Sequence, residues 1–66
     1  MERINGRKLK GLILDKGFTI SELAKLAKCK PTTITQLMRG KTCRIGTLSR
    51  VATALDVRGT DLLLED

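Results

Sequence analysis

The 66-residue chain has no histidine, tryptophan or tyrosine, and it carries one phenylalanine, one proline and two cysteines. Each shortage excludes something. Modules that hold RNA or single-stranded DNA stack bases on aromatic rings, and Phe18 alone is too few. A small β barrel would show more aromatic and β-branched runs. Cys29 and Cys43 cannot build a disulfide framework, and a zinc site would need two further ligands that no histidine supplies. Both are expected to be reduced thiols, with no metal and no cofactor. Neither cysteine has a histidine base, and Asp15 and Glu22 are the only carboxylates in the middle of the chain, so no enzyme is expected. The longest apolar runs, Leu12-Ile13-Leu14 and Leu62-Leu63-Leu64, are too short for a membrane span or a signal peptide, which points to the cytoplasm. No motif calls for a small-molecule ligand.

What is present suits helices. The hydrophobic fraction is 41%, almost all Leu, Ile, Val and Ala. Residues 1–66 are read as one domain. A chain this short buries about 60% of the surface its unfolded form exposes, so its stability margin is slim. The formal charge is +6, and its distribution matters more than its sum. Glu2 lies at the start, and Asp56, Asp61, Glu65 and Asp66 lie near the end. Between Arg7 and Arg50 only Asp15 and Glu22 oppose many Lys and Arg. A basic middle fits either a lysine-rich solvated surface or a polyanionic partner, for which nucleic acid is the usual choice.

Helix punctuation recurs along the chain. Asn5 can cap a first helix running to about Lys16, with Leu9, Leu12 and Ile13 on one face and Gly17 as its left-handed stop. Gly11 falls inside this helix, where close packing against another helix would explain it. Thr19-Ile20-Ser21-Glu22 forms a capping box that opens a second helix with Ile20, Leu23, Ala24 and Ala27 inward. Pro31 disfavours helix at Lys30 but suits the first turn of a third helix, which runs to about Met38 or Arg39 and stops at Gly40. Ile34, Leu37 and Met38 face inward there, leaving Thr32, Thr33, Thr35 and Gln36 outward. A fourth helix spans about Ile45 to Leu55 on a stripe of Leu48, Val51, Ala52 and Leu55, ended by Asp56. A last short helix is expected from about Gly59 to Leu64. The second and third helices, about residues 20–39, thus flank a short turn, the unit whose second helix can enter a DNA major groove.

Read in order, Lys16-Gly17-Phe18-Thr19, Glu22-Leu23-Ala24, Thr33-Ile34, Gln36-Leu37 and Arg39-Gly40-Lys41 make the chain resemble the Cro and phage-repressor (Xre-like) helix-turn-helix family. Thr47-Leu48, Val51-Ala52, Ala54-Leu55, Val57 and Asp61-Leu62-Leu63 extend the likeness. It implies an all-α, compact five-helix, lambda-repressor-like fold and a bacterial or phage transcription regulator, in the main a repressor, that reads double-stranded DNA. Departures from the family's pattern lie at Ile20, where a phosphate-capping Gln is common, and at Lys30 and Pro31, which replace a Ser/Thr cap and a polar base-reader. Ile13 and Met38 stand where relatives carry a buried Arg–Glu pair, and apolar pairs of similar volume can be as stable.

Gln36 is the favoured base contact, since its amide can pair with adenine N6 and N7; the plainer alternative is an ordinary exposed glutamine. Thr32 and Lys30 are the other candidate base readers. Thr33, Thr35, Arg39, Lys41 and Arg44 are assigned to phosphate, which positions without specifying. Backbone amides near Gly46 and Thr47 can bind phosphate at the start of the fourth helix. One reading helix covers few base pairs, so a homodimer on a palindrome is expected. Leu64 is its candidate contact, ordinary surface being the alternative. A second use of the same fold is as an antitoxin or other protein-binding module.

Overall fold

A computed structural model describes residues 1–64. Four α-helices are present: α1 (Gly6–Lys16), α2 (Ile20–Ala27), α3 (Pro31–Met38) and α4 (Ile45–Leu55). A 3-10 turn follows at Gly59–Leu62, and two short strands, β1 (Glu2–Arg3) and β2 (Thr42–Cys43), pair antiparallel. The helix ends follow local side-chain chemistry. Asn5 accepts from the Lys8 N–H at 3.1 Å. The Thr19 hydroxyl accepts from the Glu22 N–H at 3.0 Å while the Glu22 carboxylate accepts from the Thr19 N–H at 2.9 Å. That second bond holds the Glu22 carboxyl below its ordinary value. Gly17 ends α1 at φ +74° and Asp56 ends α4 at φ +58°.

The inward stripes meet in one aliphatic core. Ile4, Leu9, Leu23, Ile34, Val51, Leu55 and Leu62 are fully buried, and no polar or charged side chain joins them among the described residues. Ile13 is buried and Met38 packs against the core, so both add apolar surface there without desolvating a charge. Ala24 and Ala27 bring the face of α2 close to its neighbours.

Three expectations need correction. Among the described residues there is no fifth α-helix: the last turn is 3-10, and Leu63 is extended (φ −77°, ψ 141°). The reason is backbone pairing that the sequence pattern does not carry. Leu63 bridges Ile4, the Leu64 N–H donates to the Arg3 carbonyl at 3.0 Å, and the Asn5 N–H donates to the Leu62 carbonyl at 2.8 Å. The N-terminal strand therefore captures the end of the chain before another helical turn can form. Leu64 is accordingly not a helical leucine, though it is exposed. The fold is also not wholly α, because β1 lies between this segment and β2. Two-residue strands give no periodic signal, and such a pair holds only when packed on a core, as Ile4 and Cys43 are here.

Gly11 is the third correction. A Cβ at Gly11 would meet nothing within 4 Å, so no neighbouring helix demands the glycine. Gly6, at the first turn of α1, is the tight position. A Cβ there would collide with the Met38 carbonyl oxygen and come within 2.9 Å of the Gly40 nitrogen. The substitutions should therefore have opposite signs. Gly11→Ala should stabilise the fold by up to about 1 kcal/mol. Gly6→Ala should cost about 1–3 kcal/mol through overpacking. Urea midpoints at constant slope are the measurement, and equal shifts in the two variants would refute the assignment.

Candidate nucleic-acid interface

Helix α3 is seated by its buried Ile34 and Leu37. Four residues apart, Thr32 and Gln36 fall on one stripe of the helix surface, and both are exposed. Lys30 precedes them, exposed, as an N-cap with no side-chain hydrogen bond, and Pro31 occupies the first turn. Lys28, in the turn between α2 and α3, adopts a left-handed conformation at φ +57°. That geometry usually favours glycine, and it went unanticipated. Thr33 and Thr35 are half-buried rather than fully outward. The Thr35 hydroxyl donates to the Pro31 carbonyl at 3.2 Å, one turn back. Their positions flank the exposed stripe and do not form it.

The loop beyond α3 folds back on its own helix. Arg39 is exposed, Gly40 turns the chain at φ +83°, and the Lys41 N–H donates to the Gln36 carbonyl at 3.2 Å. Pairing of β2 with β1 then fixes the route of Thr42 and Cys43, leaving Lys41 and Arg44 exposed on either side. Arg44 is the N-cap of α4 and makes no side-chain capping bond. Space in front of Gly46 is open, since an added Cβ would meet only the Arg50 guanidinium, at 3.8 Å. Thr47 is half-buried, and its hydroxyl accepts from Arg50 at 3.5 Å.

Arg50 has a role that sequence reasoning missed. Its Nε donates to the Ala27 carbonyl at 3.1 Å, so a cation on α4 satisfies the C-terminal end of α2. A basic group is favoured there by the helix dipole. With the partners 23 positions apart in the sequence, no local pattern could have found the bond. The contact ties α4 to the turn that leads into α3.

Charge on this side is of one sign. Seven Lys and Arg (at 25, 28, 30, 39, 41, 44 and 50) lie between Glu22 and Asp56 with no acid among them. The sulfur chemistry is quiet. Burial pushes the Cys29 thiol up, with Arg50 opposing, and burial followed by the nearby Glu2 pushes Cys43 up. Such thiols are poor nucleophiles. No cluster of three or more His, Cys, Asp or Glu able to hold a metal is found among the described residues, and no described helix is long and apolar enough to cross a membrane. The interface can therefore offer shape, hydrogen bonds and positive charge.

Comparison with known proteins agrees with these features. The pattern of the family described as the Cro/C1-type HTH DNA-binding domain matches residues 8–64. No curated protein matches the sequence significantly. Among solved structures, the restriction-modification controller protein C.AhdI from Aeromonas hydrophila is similar at a TM-score of 0.82 and 27% identity, over 88% of this chain and 89% of that one. SinR, a master regulator for biofilm formation, is similar in its complex with DNA at a TM-score of 0.77 and 28% identity, over 83% of this chain and 90% of that one. Its N-terminal DNA-binding domain from Bacillus subtilis gives 0.79 and 30%, over 92% and 91%. Hydroxyethylphosphonate dioxygenase shares the fold alone, at a TM-score of 0.83 and 22% identity, over 96% of this chain but 14% of the enzyme. With residues 8–64 covered by the family's pattern, the chain belongs to the Cro/C1-type helix-turn-helix DNA-binding domains.

Proposed function

We propose that the protein is a sequence-specific transcriptional regulator, acting as a repressor, that inserts α3 into the major groove of double-stranded DNA. The observation that carries this reading is the exposed Thr32–Gln36 stripe on a firmly seated helix, bracketed by Lys30, Arg39, Lys41 and Arg44 with no acid between. Short polar side chains suit a helix pressed against base edges, where a glutamine amide matches adenine. The flanking cations suit the phosphate backbone, which sets register and orientation. Thr33 and Thr35, half-buried beside the stripe, are left with phosphate contacts at its edges. The open backbone at Gly46 and Thr47 is a further phosphate position, at the positive end of α4. SinR's complex with DNA and the controller role of C.AhdI support the same use of the fold.

The reading includes a homodimer on a palindromic operator, because one α3 spans too few base pairs for useful specificity. Exposed Leu64 follows Leu63, which lines an apolar groove with Ile45, Leu48, Ala52 and Val57. A second copy is the occupant this reading assigns to that surface.

Selection of bound sites from a random DNA pool is the direct test. The expected result is a two-fold repeat with half-sites about one helical turn apart. No enriched site would end the sequence-specific reading, and an unrepeated site would end the dimer. Gln36→Ala should lose on the order of 1–3 kcal/mol and relax preference at one base pair per half-site. An unchanged site preference in that variant would remove Gln36 from base reading. Lys41→Ala should weaken all sequences alike and lower the salt slope by roughly one unit. Sequence-dependent loss would make Lys41 a base contact instead.

A further inference from the structure

The N-terminal strand carries a cation that the reading of α3 and its loop leaves unused. In the β1–β2 pair Glu2 lies opposite Cys43 and Arg3 opposite Thr42. Side chains alternate between faces along a strand. Glu2, half-buried, thus shares the inner face with buried Cys43, while Arg3 and Thr42 share the outer face, both exposed. Arg44 is still extended, at φ −73° and ψ 154°, and is exposed two residues beyond Thr42. It is therefore a diagonal neighbour of Arg3 on the same outer face, at about 7–8 Å. Like charges at that separation repel, weakly because solvent and salt screen them. The strand's one acid, Glu2, faces the other way and cannot relieve them.

Such a pair is unfavourable in the free fold and becomes favourable when a polyanion lies across it. We propose that Arg3 is a further phosphate contact, and that the outer face of the β1–β2 pair holds a segment of DNA backbone between Arg3 and Arg44. The proposal rests on the DNA-binding function above and extends its footprint to the N-terminal strand. A guanidinium suits the task, since its planar fork can donate two hydrogen bonds to one phosphate. The position of Arg3 is set by backbone bonds, including the 3.0 Å bond from the Leu64 N–H to its carbonyl. Replacing the side chain leaves those bonds in place.

The test compares wild type, Arg3→Ala, Arg3→Lys and Lys10→Ala on a duplex carrying a selected site and on an unrelated duplex. Fluorescence anisotropy is read across a series of potassium chloride concentrations, with thermal unfolding alongside. Arg3→Ala should weaken both duplexes by the same factor, about eightfold near ~0.1 M salt, and lower the salt slope by about 0.9. Its thermal midpoint should stay level or rise as the repulsion is relieved, and Arg3→Lys should recover the slope. Lys10 is exposed in the middle of α1, away from α3, its loop and the β1–β2 pair, so Lys10→Ala removes the same charge without touching the slope. An unchanged slope in Arg3→Ala, while wild type binds, overturns the contact. So does an equal loss in Lys10→Ala, which would mark a bulk charge effect, or a loss that tracks a lowered midpoint. Failure of wild type to bind any duplex is a separate result, and it sinks the DNA-binding reading itself.

Discussion

The seating of α3 depends on one steric fact: at residue 6 there is no Cβ. The backbone of Gly6 lies directly against the Met38 carbonyl and within reach of the Gly40 nitrogen, closer than any side chain would permit. This contact sets how α1 meets the end of α3, and from there the left-handed turn at Gly40 and the path of the loop follow. Ile34 and Leu37 hold the helix to the core from beneath, but apolar packing alone tolerates small rotations. A backbone-to-backbone stop at the C-terminal end does not. The exposed stripe of Thr32 and Gln36 takes its direction from that stop and from the bond between Arg50 and the end of α2.

Polar groups and hydrocarbon are kept apart throughout. Among the described residues the core holds no polar side chain, and Ile13 and Met38 add only apolar surface to it. Charges are left to the surface, where those from residue 25 to residue 50 are all positive. Repulsion among them costs the free protein some stability. The same charges are the source of long-range attraction to a polyanion, so fold and function draw on them with opposite sign.

How much of this was legible in the sequence depended on how local the cause was. Helices α1, α2 and α4 are bounded by caps that act within four residues: Asn5 on Lys8, Thr19 with Glu22, Gly17 and Asp56 by conformation. Pro31 announced the start of α3 for the same reason. The paired backbones of Arg3 with Thr42 and with Leu64 join positions far apart in the chain, and two-residue strands leave no pattern to read. They also overrode the helical look of Leu62-Leu63-Leu64. The glycines were the sharpest lesson. Gly11 looked like a packing requirement because it interrupts a helix, while Gly6 passed for part of a helix start. Only the neighbours in space distinguish them. For the interface, the exposed stripe and flanking cations followed from helical periodicity, whereas the half-burial of Thr33 and Thr35, the turn at Lys28 and the role of Arg50 required the tertiary arrangement.

The pairing of Arg3 with Leu64 has one more consequence. It brings the two ends of the described chain side by side, joined by a backbone bond of 3.0 Å. A unit whose entry and exit points coincide can be spliced into a host polypeptide with little loop-closure entropy and without stretching either partner. Hydroxyethylphosphonate dioxygenase shares this fold over 14% of its length. Here the shared doorway lies beside the loop bearing Lys41 and Arg44.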